Sequence, residues 1–113
     1  MKTVTLCGSM RFAREMQRIA FDLEVRHGFN VLQCVYDPAD VTLTDNMITA
    51  LSDAHLRKID LSDAVYVVDI GGYTGTSVRR EVEYALALGK QVIYHTAFCA
   101  AQKPAVDKTF TEC

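Results

Sequence analysis

The chain has 113 residues, half of them hydrophobic, and a formal charge of -2 from twelve basic and fourteen acidic residues. That is enough for one compact domain with a real core, small enough that self-association is a natural supplement. A dedicated nucleic-acid binder would carry a basic stripe, and no apolar run approaches the ~20 residues that cross a bilayer. Neither nucleic acid nor membrane is therefore expected as a partner.

The first element is a short apolar strand, Thr3 to Cys7, stopped by Gly8-Ser9. Phe12, Met16, Ile19, Ala20 and Leu23 then recur at helical spacing, and Gly28 is placed to end that helix. Phe29 to Tyr36 is a second strand, broken by Asp37-Pro38. Thr44 or Asp45 caps a helix with Ile48, Leu51, His55 and Ile59 on one face. Ala64 to Val68 is nearly all apolar, as a strand covered on both faces would be.

A glycine-rich loop, Asp69 to Ser77, opens a helix whose expected buried side is Val78, Val82, Ala85 and Leu86. Gln91 to Tyr94 follows as a fourth strand. Residues 1–95 make the predicted α/β domain, and residues 96–113 a carboxyl-terminal tail, packed or partly helical.

Strands alternating with helices indicate βαβ units. The simplest solution is a doubly wound, flavodoxin-like parallel sheet of order 2-1-3-4. Its ligand crevice lies beyond the carboxyl ends of the first and third strands. Both glycine loops meet there.

Cys7, Cys34, Cys99 and Cys113 form no CxxC pair and no zinc spacing, and Met1 to Cys7 reads directly into a strand, so secretion is not expected. Reduced thiols, a cytoplasmic setting and no metal or other cofactor are the expectations. No cysteine has a motif partner that would make it a nucleophile.

Gly8-Ser9-Met10-Arg11 stands between a strand end and a helix start. Unpaired N–H groups, a hydroxyl and a guanidinium there suit an anion, although a plain helix cap is the commoner role for a serine so placed. Gly75, Thr76 and Ser77 lack the lysine of a P-loop and read as a binding loop or a flexible connection. Glu81 flanks the apolar stripe beside the loop mouth, whereas Glu83 faces water. A carboxylate so placed can be a nucleophile or base, or simply a favourable charge early in a helix. His55 is either a core histidine or an acid–base group, and Asp63 reads as a turn or capping residue.

Taken together, these residues resemble the nucleoside 2-deoxyribosyltransferase family and its deoxynucleoside 5'-monophosphate N-glycosidase relatives. The resemblance runs from Val4 to about Tyr94 and rests on Gly8-Ser9-Met10-Arg11, Ile59, Asp63, Gly75-Thr76, Glu81, Ala85 and Gly89-Lys90. It implies Glu81 as the nucleophile on the anomeric carbon. His55 would protonate or orient the departing base, and Gly8 to Arg11, Asp63 and Gly75 to Ser77 would bind substrate.

The Gly-Ser-x-Arg form of the first loop implies a 5'-monophosphate ligand, and the family habit of completing a neighbour's site implies a homodimer or larger assembly. His55 stands where the family has an Asp, and Gly75 where its transferases have an acidic residue. The rival reading is a nucleotide- or ADP-ribose-binding module that does not turn its ligand over.

Overall fold

A computed structural model describes residues 1–102. Strand β1 (Thr3–Cys7) leads through a 3-10 turn, Met10–Phe12, into α1 (Ala13–His27), followed by β2 (Asn30–Leu32) and α2 (Asp45–Asp60). Strand β3 (Ala64–Val67), a 3-10 turn at Ile70–Gly72, α3 (Thr76–Ala87), β4 (Gln91–Tyr94) and α4 (His95–Ala101) complete the order. The four strands form one sheet in the order β2-β1-β3-β4. Every pairing is parallel, with Thr5 opposite both Leu32 and Val65, and Val65 opposite Val92. This is the α/β architecture expected from the alternation of strands and helices.

Strand periodicity divides the core in two. Val4 and Leu6 of β1 and Tyr66 of β3 face one side, where Met16, Ile19 and Leu23 of α1 cover them. Phe98 of α4 stacks edge-on against Tyr66 there. Cys7, Val65 and Val67 face the other side, beneath Ile59 of α2 and Val78 and Ala85 of α3. Burial of each large aliphatic side chain contributes about 1.5–3 kcal/mol, so these two clusters hold the sheet between its helices. The same parity sends the Cys7 side chain toward α2 and α3.

Two glycines have specific work. Gly28 ends α1 with φ 68° and returns its N–H to Leu23 O, a left-handed cap that other residues adopt only under strain. At Gly8 the constraint is space: a Cβ would lie 2.8 Å from Met16 Sδ and 3.2 Å from Val68 Cβ.

Several expectations need correction. Strand β2 spans Asn30–Leu32 rather than Phe29 to Tyr36, because the chain leaves the sheet edge and passes over the carboxyl ends of the strands. Leu86 is 59% exposed; Val78, Val82 and Ala85 form the inward stripe, and Leu86 falls on the outer side of α3. Of the alternative caps for α2, Thr44 is the one used, its Oγ1 accepting from Met47 N at 3.2 Å. Cys7 and Cys34 are free thiols, but Cys99 is disulfide-bonded, contrary to the expectation of thiols throughout. The tail from residue 103 onward, with Cys113, lies outside the described residues.

Candidate functional site

A cleft of about 360 Å³ opens beyond the carboxyl ends of β1 and β3, the place a doubly wound sheet reserves for ligands. Gly8, Ser9 and Met10 line it from the first loop, Gly75, Thr76 and Ser77 from the start of α3, and His55 and Glu81 from the helices. Eight of the ten residues singled out in the sequence thus share one cavity.

The other two lie elsewhere. Arg11 is exposed and lays its guanidinium over the Tyr73 ring, 3.8 Å from the centroid. Asp63 stands at the amino end of β3, opposite the cleft, where its carboxylate accepts Thr3 N–H at 2.8 Å and its own N–H donates to Thr3 O at 2.8 Å. It clamps β1 to β3, a structural task in place of the substrate contact that the resemblance implied. Lys90 is also structural: its Nζ donates to the carbonyls of Asp60 at 3.1 Å and Ser62 at 2.6 Å, closing the carboxyl end of α2.

Three elements meet at the cleft: His55 and Glu81 line it, and the buried Cys7 lies next to them. Cys7 ends β1, His55 sits a little more than one turn from the end of α2, and Glu81 lies in the second turn of α3. His55 Nε2 is 3.2 Å from Glu81 Oε1 and 3.5 Å from Cys7 Sγ. The His55 ring is buried and its Nδ1 has no partner, whereas the Glu81 side chain keeps one-fifth of its surface exposed.

These facts decide the proton arrangement. A proton on Nε2 donates to the carboxylate and leaves only a lone pair at the enclosed Nδ1; a proton on Nδ1 would strand a donor there, which costs more. Burial pushes the Cys7 thiol well above its ordinary range, and the Glu81 charge and a hydrogen bond to it push the same way. Cys7 therefore stays a neutral thiol beside Glu81. Imidazole and thiol together hold one side of the carboxylate and leave the rest turned to the cleft.

Anion-binding capacity comes from the loops. Gly75, the N-cap of α3, has no capping side chain, and the first helical bond there runs from Arg79 N to Gly75 O at 3.1 Å. The N–H groups of Thr76 and Ser77 are thus unused within the helix, at its positive end. Across the cleft, Ser9 Oγ accepts Arg11 N–H at 3.3 Å, which leaves the hydroxyl proton free to donate. Capping and anion binding are compatible at this serine.

The remaining lining includes Cys34, Val35, Asp37, Leu43, Ile48, Leu51 and Ser52. Sequence reading missed Cys34 and Val35 because they lie where β2 was extended too far, and Asp37 and Leu43 because they lie in the connection that follows. It also missed the approach of Cys7 to His55; the available signal was that Cys7 is the last residue of a strand ending at the crevice.

No family model and no curated protein matches this chain. Solved structures do. A conserved protein from Enterococcus faecalis V583 superposes with a TM-score of 0.57 at 16% identity, over 83% of this chain and 62% of its own. The CMP N-glycosidase BcmB from Clostridium botulinum superposes with a TM-score of 0.51 at 22% identity, over 82% of this chain and 70% of its own. The chain thus spans less than two thirds of the first structure. At these identities the likeness shows a shared fold, the four-stranded parallel α/β architecture.

Proposed function

We propose that this protein breaks the N-glycosidic bond of a nucleoside 5'-monophosphate, by hydrolysis or by transfer to a second base. The observation that carries the reading is a carboxylate, Glu81, held by His55 at 3.2 Å inside the crevice where such a fold binds ligands. A structural neighbour described as a CMP N-glycosidase supports the same reaction class.

In this reaction Glu81 attacks the anomeric carbon as the bond to the base breaks. The bonding electrons leave with the base, which takes up a proton from water entering the open cleft; the water or base that attacks next gives up a proton in turn. Water or another base then attacks the sugar carbon of the ester, releasing the product and restoring the carboxylate. With Nε2 engaged by Glu81 and Nδ1 enclosed, His55 serves to position the nucleophile. The phosphate is held by Ser9 and the amino end of α3. A homodimer or larger assembly encloses the open side of the cleft.

The direct test is incubation of purified protein with a panel of deoxynucleoside monophosphates, followed by chromatography for free base. Release that depends on Glu81 supports the reading. Tight binding without release makes the protein a nucleotide-binding module instead.

A further inference from the structure

We propose that Cys7, His55 and Glu81 together form a binding site for Zn²⁺, and that the metal, when bound, takes Glu81 as a ligand. The donor atoms of the three residues all lie within 4.8 Å of one another. Thiolate, imidazole and carboxylate are the ligand types zinc accepts. With bonds of about 2.0–2.3 Å, neighbouring donors around tetrahedral zinc stand about 3.3–3.8 Å apart. The His55–Cys7 separation of 3.5 Å falls in that range, and the His55–Glu81 separation of 3.2 Å is just below it. A small movement of the part-exposed Glu81 side chain brings the third edge to the same length.

The scaffold favours such a site. The ligands come from β1, α2 and α3, three elements fixed by packing beneath one apolar cluster. Three protein ligands leave a fourth position open, and the cleft supplies both the entry path and the water to fill it. A single carboxylate beside a thiol and an imidazole is a poor set for magnesium or calcium, which require mostly oxygen donors. Cys7 binds as thiolate, so one proton passes to solvent for each zinc taken up at this residue.

One feature limits affinity. His55 Nδ1 has no acceptor, whereas a metal-bound histidine ordinarily donates its second N–H, and loss of such a partner costs about 10- to 100-fold. The site is therefore exchangeable. Bound zinc would occupy the carboxylate on which the proposed chemistry depends, making the metal a reversible block. Zinc binding itself requires no nucleotide, so it stands or falls separately from the glycosidic reading.

The test uses the metal-free full chain, titrated with Zn²⁺ by calorimetry and with Co²⁺ by absorption. One equivalent should bind, with tetrahedral cobalt bands and a thiolate-to-cobalt charge-transfer band. That band should persist in Cys34→Ser, a change to a free thiol that does line the cleft, and vanish in Cys7→Ser. Because Cys7 is a core residue whose replacement endangers the fold, Glu81→Gln is the second variant, and it should weaken zinc binding by about tenfold or more. A wild-type protein without the charge-transfer band overturns the proposal. So does a band that disappears only in Cys34→Ser, or a Glu81→Gln variant that binds zinc as tightly as wild type.

Discussion

His55 Nε2 lies 3.2 Å from Glu81 Oε1, joining two helices at the centre of the cleft. The contact makes Glu81 different from Glu83, which faces solvent on the same helix. Glu81→Gln should lower turnover by orders of magnitude while leaving stability within about 0.5 kcal/mol, the usual range for a part-exposed substitution. Glu83→Gln should leave both unchanged. His55→Ala should lower kcat by about a hundredfold with little change in KM, the signature of a misplaced nucleophile. Equal losses from the two glutamate changes, in a base-release assay, would remove Glu81 from its role.

Much of this arrangement can be read in the sequence, for identifiable reasons. Apolar strands such as Ala64–Val67 are buried on both faces and so carry no polar alternation, while α1 declares its inward stripe through Met16, Ile19 and Leu23. The edge strand is harder. It pairs only with β1, and its exposed–buried–intermediate pattern gives few residues a reason to remain in the sheet.

Contacts between distant segments are hardest of all. Cys7 and His55 meet because strand parity and helix packing both point them to one place, and no local spacing records that. Asp63 misled for the converse reason: a motif position says nothing about which end of a strand it occupies.

Gly8→Ala should destabilise the fold. The new methyl would crowd Met16 Sδ and Val68 Cβ, and Met16 can move only by disturbing the core. Overpacking of this kind costs about 1–3 kcal/mol. Urea unfolding of the variant should show a lower midpoint at an unchanged slope, and an unchanged midpoint would mean the core yields freely.

Alkaline pH should weaken the protein through Tyr66 and Tyr36. Burial raises the Tyr66 phenol well above its ordinary value, with the Asp22 and Asp69 charges adding to it, and its hydroxyl is hydrogen-bonded to His95 Nδ1 at 2.6 Å. Burial pushes Tyr36 up to about 12, helped by Cys34. A folded state that holds these protons more tightly than the unfolded chain has their full contribution below the ordinary phenol value of about 10. It loses that contribution as pH rises toward the raised values. Thermal midpoints should be flat between about pH 7 and 9 and fall beyond about 10. Tyr66→Phe should make that fall shallower, and a fall of unchanged steepness would assign it to other groups.

Self-association should be measurable. Val35 and Ile48, which line the cleft, are 55% and 50% exposed, apolar surface that a second subunit would cover. Light scattering at micromolar concentration should report a dimer or larger species, and the thermal midpoint should rise with protein concentration. A fully active monomer would end this expectation.

Recognition of the phosphate should depend on Ser9 rather than Arg11. The resemblance in the first loop places both residues beside an anion, but the structure separates them. Ser9 lines the cleft and keeps a hydroxyl proton to give, whereas the Arg11 guanidinium rests on Tyr73. On the opposite wall, the free N–H groups at the start of α3 face the same space. A hydrogen bond to a charged phosphate contributes about 1.5–3 kcal/mol, roughly ten- to a hundredfold in affinity. Ser9→Ala should therefore weaken a deoxynucleoside monophosphate by about that factor and barely change the free nucleoside. Arg11→Ala should not discriminate between the two. Calorimetric titration of both ligands against both variants decides the matter. If Arg11→Ala alone weakens the monophosphate, the guanidinium leaves Tyr73 to meet the ligand and the assignment to Ser9 fails.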